Sequence, residues 1–285
     1  MSTPAVPGKV AVIGGGRMGS GIAQTFAIAG ADVSVAESGA DAAATAADRI
    51  ERSVQRAAER GRLAEDAADL LARLRVLPAV ADLPGDVELV VEAVPEQLEL
   101  KIAVLTGAER VLGPDAVLAS NTSSLPIAEL SAALREPSRF LGMHFFNPVP
   151  ASQLVELVAG PDTSEAVLGG ARDWVHGLGK TEVLVRDSPG FATSRLGVLL
   201  GLEAIRMLEE GVADAESVDT AMQLGYRHPM GPLRSTDLVG LDVRLAIAEH
   251  LHATLGERFA PPQLLRDKVE RGELGRKTGR GFFDW

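Results

Sequence analysis

Residues 9–19 read KVAVIGGGRMG, and this stretch decides the fold of the first part of the chain. Its apolar half, Lys9–Gly14, is typical of a buried parallel strand that ends in glycine. A helix is predicted for residues 17–29, and a second strand is predicted for Asp32–Glu37. Strand, helix and strand within about 30 residues form a βαβ unit, the building block of a parallel sheet covered by helices.

The glycines after the first strand fit the pattern G-x-G-x-x-G. Gly14 permits a tight turn, Gly16 lets the backbone approach a pyrophosphate, and Gly19 allows the helix to pack closely on the strand. Glu37 ends the second strand, where it can accept hydrogen bonds from adenosine ribose hydroxyls and would repel a 2′-phosphate. The sequence therefore predicts NAD rather than NADP. FAD uses the same pattern, but the sequence has no second flavin signature, and the βαβ context argues against a glycine turn that binds nothing.

The chain divides near Asp187 into a mixed part and a helical part. Residues 40–73 have helical periodicity and predict two helices broken near Gly61. Further strands are predicted at Arg75–Leu77, Val87–Val91, Ala116–Ser120, Phe140–Met143, Leu154–Val158 and Glu182–Val185. Helices fit between several of these strands, so residues 1–187 are predicted to form a doubly wound α/β sheet and residues 188–285 an all-α domain.

The composition argues against several classes of protein. A formal net charge of −11 and a sequence pI of about 5.0 disfavour a general nucleic-acid binder, which needs a basic face. The sequence has no Cys, which excludes thiol nucleophiles and cysteine metal sites. No metal is predicted at all, because four histidines lack acidic partners at metal-ligand spacing. They are His176, His228, His250 and His252.

No membrane segment or export signal is predicted. No apolar run approaches the roughly 18 residues that cross a bilayer, and the N-terminus lacks a basic region followed by an apolar stretch. A cytoplasmic protein is therefore expected. Residues 196–202, LGVLLGL, are apolar on all sides of a helix, which must be buried either in the core or against a partner. Small helical domains often complete their burial by dimerising, so a homodimer is expected.

Residues 141–158 read LGMHFFNPVPASQLVELV and place one histidine and one carboxylate in apolar surroundings. Oxidation of an alcohol by hydride transfer needs a base for the hydroxyl proton, and the imidazole of His144 suits this task near neutral pH. Glu156, in the apolar run one loop later, is suited to fix the tautomer of that imidazole. The pair is predicted at the carboxyl edge of the sheet. The alternatives are a core histidine and a solvent-facing glutamate.

Residues 121–124, NTSS, directly follow the strand predicted at Ala116–Ser120. They therefore lie at another strand's carboxyl end, where substrate groups gather. Ser123 is suited to donate a hydrogen bond to a substrate oxygen. The alternative is a helix cap, a role that suits Ser124.

Several blocks together resemble the L-3-hydroxyacyl-CoA dehydrogenase family, and especially its bacterial 3-hydroxybutyryl-CoA dehydrogenase branch. The similarity runs nearly end to end through VAVIGGGRMGSGIAQTFAIAG, VVEAVPEQLELK, ASNTSSLPI, GMHFFNPVP, LVELV, DSPGF, HPMGPL, DLVGLD and GRKTGRGFFDW. Several such blocks in order are far more specific than one motif. The family fold is a Rossmann-type domain with an inserted helical pair, followed by a helical dimerisation domain.

The resemblance implies reversible, NAD-dependent oxidation of short-chain L-3-hydroxyacyl-CoA to 3-oxoacyl-CoA, within fatty acid metabolism and β-oxidation. It implies that His144 is the general base, that Glu156 is its partner, and that Ser123 contacts the substrate's 3-oxygen. The implied cofactor contacts are Gly14, Gly16, Arg17, Met18, Gly19, Glu37, Glu96, Lys101, Asn121, Ser123 and Asn147.

An acyl-CoA substrate carries phosphates, and a basic helix face is available for them. The predicted helix carries arginines spaced by three, four and four residues, which places them on one face. They are Arg49, Arg52, Arg56 and Arg60. Ser53 and Arg60 match positions that contact CoA in the family, and Arg52 is expected to join them. The alternative is a solvated face with ion pairs to neighbouring glutamates.

One residue departs from the family pattern. The family commonly has Asn before Arg in the block PGF-x-x-N-R, whereas this chain has Ser194 before Arg195. We expect Ser194 to help Ser123 orient the substrate oxygen. Two rival functions remain: a dehydrogenase of a free 3-hydroxy acid, of the sugar acid or carnitine type, and a non-catalytic dinucleotide-binding protein.

Overall fold

A computed structural model describes residues 6–285 of the chain. The first five residues, which form part of the N-terminal stretch used to argue against an export signal, lie outside the described residues. The described chain forms two compact units, one that ends at Ser188 and one that comprises Pro189–Trp285.

The first unit is built on one mixed sheet. Within residues 6–285 its strands are β1 (Lys9–Ile13), β2 (Asp32–Ala36), β3 (Leu74–Leu77), β4 (Leu89–Glu92), β5 (Val117–Ser120), β6 (Phe140–Phe145), β7 (Leu154–Ala159) and β8 (Thr181–Arg186). Their order is β3-β2-β1-β4-β5-β6-β7-β8, and neighbours are parallel except β6 and β7, which are antiparallel. The predicted doubly wound α/β sheet is confirmed. Its chain order reverses between β1 and β4, which is where such sheets bind ligands.

Helices connect the strands of the first unit. They are α1 (Arg17–Ile28), α2 (Ala40–Glu59), α3 (Ala67–Ala72), α4 (Leu98–Val111), α5 (Ile127–Ser131) and α6 (Glu165–Gly177). The central strands β1, β4, β5 and β6 are mostly apolar and buried because helices cover the sheet. Phe26 on α1 packs with Val12 and Val35 in one core cluster, and each has no exposed surface. Burial of each such side chain contributes about 1.5–3 kcal/mol. The predicted break near Gly61 is confirmed, since α2 and α3 flank it and its φ of +62° favours glycine.

Two features of β6 and β7 differ from the sequence-based expectation. The strand predicted to end at Met143 continues to Phe145, so His144 lies inside β6 rather than beyond it. The short Asn-Pro-rich connection returns the chain antiparallel, and His144 pairs in register with Glu156 on β7. The carboxylate therefore faces the histidine from the middle of a strand.

The second unit is helical. Its helices are α7 (Thr193–Glu209), α8 (Ala215–Gly225), α9 (Pro232–Val239), α10 (Leu241–Leu255) and α11 (Gln263–Glu270). Val198 and Leu202 on α7 are fully buried, whereas Leu196 is 66% exposed. The apolar stretch 196–202 thus contributes to the core and also leaves apolar surface uncovered. Among the described residues, no helix has both the length and the apolar character needed to cross a membrane.

Candidate active site

The glycine-rich turn between β1 and α1 is open on one side and tightly packed on the other. Gly14 has a φ of +95°, a conformation that L side chains rarely adopt. A Cβ on Gly16 would meet no atom within 4 Å, so a ligand can approach the backbone there. A Cβ on Gly19 would lie 1.7 Å from the carbonyl oxygen of Gly14, which explains the glycine at the helix–strand contact. These residues fit a dinucleotide pyrophosphate at the N-terminus of α1.

Glu37 is held beside this turn by backbone donors. The amide of Gly15 donates to Glu37 Oε1 at 2.6 Å, and the amide of Ser38 donates to Oε2 at 3.3 Å. A Cβ on Gly15 would lie 2.5 Å from that of Ala46, so this glycine is also sterically required. The sequence analysis missed Gly15, although it lies inside the motif.

Two cavities form one crevice along the carboxyl edge of the sheet. The first, of about 610 Å³, is lined by the glycine turn with Arg17 and by Glu37. The second, of about 360 Å³, is lined by residues of the candidate site. Met18, Ala93 and Val94 line both cavities, so the two are adjacent along this edge. The residues of the second cavity predicted from sequence are Met18, Glu96, Lys101, Asn121, Ser123, His144 and Asn147.

His144 and Glu156 form a buried pair at this crevice. His144 Nδ1 lies 2.8 Å from Glu156 Oε2. The histidine residue is 7% exposed and the glutamate has no exposed surface. The ring of Phe146 lies against the imidazole, with centroids 4.4 Å apart and planes inclined by 52°. A carboxylate at Nδ1 accepts a hydrogen bond from the Nδ1–H group, so Nε2 is the nitrogen of the neutral ring that can accept a proton.

A buried ion-pair network lies beside the pair at the ends of β4 and β5. The ammonium of Lys101 lies 2.7 Å from Glu92 Oε1 and 3.2 Å from Glu96 Oε2. Lys101 is 1% exposed, and its ammonium is enclosed between two carboxylates. Any contact of this predicted cofactor-binding residue with NAD would involve that enclosed group. Glu92 was not identified from the sequence.

Glu96 holds the NTSS segment. Its Oε1 accepts the backbone amides of Ser123 and Ser124 at 2.9 and 3.0 Å and the hydroxyl of Thr122 at 2.7 Å. Burial opposes its ionisation, but the charge of Lys101 and these hydrogen bonds together lower the pKa of Glu96. Ser123 is thereby fixed at the mouth of the cavity that contains His144.

Two asparagines complete the cavity wall. Asn121 Oδ1 accepts the backbone amide of Phe145 at 2.8 Å, which ties the end of β5 to the end of β6. Asn147 lies in the segment that follows β6 and lines the same cavity. Most of the predicted cofactor-binding residues, together with His144, thus lie along this crevice.

The predicted arginine face of α2 divides between two places. The guanidinium of Arg49 donates to the carbonyl of Gly15 at 2.5 Å, so this residue supports the glycine turn. Arg56, Arg60 and Ser53 line a separate cavity of about 390 Å³, whereas Arg52 is exposed and does not line it. Arg62, missed by the sequence analysis, joins that cavity because the turn at Gly61 redirects the chain. Pro148, Pro150 and Ala151 form its other wall.

Ser194 belongs to the second unit, in the first turn of α7. The remaining predicted site residues all lie in the first unit. A search of residues 6–285 finds no group of three His, Cys, Asp or Glu side chains arranged to hold a metal ion.

Comparison with known proteins points to one family. Residues 9–188 match the family description "3-hydroxyacyl-CoA dehydrogenase, NAD binding domain", and residues 190–285 match the C-terminal domain of the same name. A Mycobacterium tuberculosis (strain H37Rv) protein named 3-hydroxybutyryl-CoA dehydrogenase is 44% identical over 281 residues, which covers 97% of this chain and 98% of that protein.

Mammalian and structural relatives agree with this assignment. The Rattus norvegicus protein named mitochondrial hydroxyacyl-coenzyme A dehydrogenase is 38% identical over 284 residues, covering 97% of this chain and 90% of that protein. The crystal structure of (S)-3-hydroxybutyryl-CoA dehydrogenase from Ralstonia eutropha superposes with a TM-score of 0.93 at 37% identity and covers 98% of this chain and 99% of that one.

Proposed function

The chain belongs to the 3-hydroxyacyl-CoA dehydrogenase family, and on that premise we propose that it oxidises short-chain L-3-hydroxyacyl-CoA, such as 3-hydroxybutyryl-CoA, reversibly. As a member of the family it is an NAD-dependent oxidoreductase. The observation that carries the assignment of roles is the 2.8 Å contact between His144 Nδ1 and Glu156 Oε2 at the crevice.

His144 acts as the general base in this proposal. Its Nε2 takes the proton of the substrate 3-hydroxyl, and the C3–O bond becomes a carbonyl as C3 loses hydride. Bound NAD supplies the hydride acceptor. Glu156 keeps the imidazole in the correct tautomer and stabilises the imidazolium that forms, because its carboxylate is enclosed and in contact with Nδ1.

Ser123 positions the reacting oxygen. Its backbone is fixed by Glu96, and its side chain lines the cavity that contains His144. We also propose that Ser194, at the position where the resemblance implies Asn, influences binding of the acyl substrate. Serine is shorter than asparagine and has a single donor proton, so Ser194→Asn is expected to change the KM of the acyl substrate more than that of NADH.

The cavity lined by Arg56, Arg60 and Arg62 is proposed to receive the phosphates of CoA. Three guanidinium groups in a net-acidic chain favour a polyanion, and guanidinium matches phosphate geometry. Replacing Arg56 and Arg60 with glutamate is expected to raise the KM for acetoacetyl-CoA and leave NADH affinity unchanged. Arg52→Glu, on the same helix but outside the cavity, is the matched control. An unchanged KM in the double variant would contradict this binding mode.

The decisive experiment follows NADH oxidation with acetoacetyl-CoA for wild type, His144→Ala and His176→Ala. His176 is also paired with a glutamate but is exposed on α6, so its loss should leave the rate unchanged. Loss of turnover in His144→Ala alone supports the proposal. Turnover of free 3-hydroxy acids in preference to 3-hydroxybutyryl-CoA would favour the first rival function, and cofactor binding without turnover would favour the second.

A homodimer that uses the helical unit, a cytoplasmic location and a place in β-oxidation are also proposed. Support for the dimer comes from exposed apolar side chains on the second unit, including Leu196, Val239 and Val243. Leu196→Glu should yield a smaller species in light scattering, whereas Val212→Glu serves as an exposed control on the same unit. A wild-type monomer would refute the dimer.

A further inference from the structure

The candidate mechanism gives no role to the buried carboxylate of Glu92, which lies next to the candidate site. It ends β4 with no exposed surface. Lys101 donates to Glu92 Oε1 at 2.7 Å, and the backbone amide of Val94 donates to the same oxygen at 2.7 Å. The hydroxyl of Ser120 donates to Oε2 at 2.6 Å. A buried charge with so many dedicated partners requires an explanation.

The donors around Glu92 suit a carboxylate. An ammonium and a backbone amide, which can only donate, both meet Oε1. Lys101 and Glu92 thus form a buried ion pair. The pKa of Glu96 is lowered, so its side chain is charged at neutral pH. Glu92 and Glu96 with Lys101 form a triad of net charge −1.

The triad lies where the reactive end of the cofactor must be. Lys101 and Glu96 line the same cavity as His144, and a hydride acceptor must lie next to the substrate carbon that His144 serves. The oxidised and reduced cofactors differ by one positive charge, which is on the nicotinamide ring. An enclosed negative cluster therefore raises the affinity for the oxidised cofactor relative to the reduced one, because Coulomb interactions strengthen where water is excluded.

We propose that Glu92 is a positioning residue whose charge makes the site favour NAD⁺ relative to NADH. Without Glu92, the charge of Lys101 would neutralise that of Glu96. Glu92 restores a net negative charge, and the ammonium lies closer to Glu92 than to Glu96. The enclosed carboxylate of Glu156, which lies behind His144 in contact with its Nδ1, has the same sign. This inference rests on the proposed function, because it requires the nicotinamide to bind beside His144.

The test compares the affinities of the two cofactor forms. Glu92→Gln keeps the shape and most hydrogen bonds of the side chain and removes its charge. Kd for NADH is measured by fluorescence titration, and Kd for NAD⁺ by competition against NADH. The ratio of Kd for NAD⁺ to Kd for NADH should rise roughly three- to ten-fold, as expected for removal of one nearby charge in a partly screened site.

Ser120→Ala is the matched control. It removes one hydrogen bond to the same carboxylate but leaves the charge, so it should lower the melting temperature and keep the wild-type ratio. A folded Glu92→Gln with an unchanged ratio, or a Ser120→Ala that raises the ratio equally, overturns the inference. If Glu92→Gln does not fold, Lys101→Gln is used instead. This variant makes the triad more negative, so the ratio of Kd for NAD⁺ to Kd for NADH must fall. An unchanged or higher ratio overturns the inference.

The experiment separates this inference from the proposed function. If the wild-type protein binds neither NAD⁺ nor NADH, the proposed function fails. If it binds both and the ratio is insensitive to Glu92, only the role of Glu92 fails.

Discussion

Replacement of Glu156 by glutamine isolates the electrostatic part of the catalytic pair. Glutamine has the same shape, and its amide oxygen can still accept a hydrogen bond from His144 Nδ1, but it has no charge with which to stabilise an imidazolium. With the charges about 4 Å apart and an effective dielectric constant of about 20, their attraction is about 4 kcal/mol, or about 10³-fold in rate. The proton is only partly transferred in the transition state, so the expected loss in kcat is roughly 10²- to 10³-fold.

The assay is NADH oxidation by acetoacetyl-CoA at saturating substrate, with NADH affinity measured separately by fluorescence. Glu182→Gln is a matched control, because Glu182 pairs with the exposed His176 at 2.5 Å outside the crevice. It should leave kcat unchanged. A folded Glu156→Gln whose kcat stays within about three-fold of wild type would refute the role of the charge.

Three further predictions follow from other parts of the structure. Glu37→Ala should weaken NAD binding and reduce the preference for NAD over NADP. The variant lacks the carboxylate beside the glycine turn that accepts hydrogen bonds from the ribose hydroxyls and repels a 2′-phosphate. Lys180→Met should lower the free energy of unfolding by about 2 kcal/mol in denaturant titrations, since the buried ammonium donates to two backbone carbonyls. Glu273 has a pKa lowered to about 2 by hydrogen bonds led by that from Lys268, so its stabilisation is complete above its ordinary pKa of 4.5 and is lost as the pH falls toward 2. Glu273→Gln should therefore weaken the acid dependence of the melting temperature in that range.

Each of these predictions has a direct control. Ser38→Ala keeps Glu37 and should retain the preference for NAD. Lys9→Met changes an exposed lysine and should cost less stability than Lys180→Met. Glu270→Gln changes an exposed carboxylate near the end of α11 and should keep the wild-type acid dependence. Equal effects in a variant and its control would contradict the reasoning for that variant.

The fold was largely predictable because local patterns determine it. The apolar run before Gly14, the glycine spacing and the position of Glu37 predict a βαβ unit, and the structure contains it. The direction of β7 was not predictable in this way, because an apolar strand has the same composition in parallel and antiparallel pairs. That direction decides how His144 meets Glu156.

The candidate site was predictable where a residue type is unusual for its surroundings. Glu156 was identified because a charge interrupts an apolar strand. Glu92 interrupts an apolar run in the same way and could have been found by the same argument. Lys180 could not be identified in this way, because its partners are backbone carbonyls that no side-chain pattern shows. The presence of Arg62 in the arginine-lined cavity could not be predicted without knowing the direction in which the chain turns at Gly61.

The antiparallel pairing of β6 and β7 has a consequence for how substrate preference can change. A ladder of backbone hydrogen bonds holds the base and its acid in register, so neither depends on the conformation of the residues between the strands. Those residues include Pro148 and Pro150, which form a wall of the arginine-lined cavity. Phe146 and Asn147 in the same segment line the cavity of His144, so substitutions confined to Pro148 and Pro150 can alter the arginine-lined cavity while the register of His144 and Glu156 is retained.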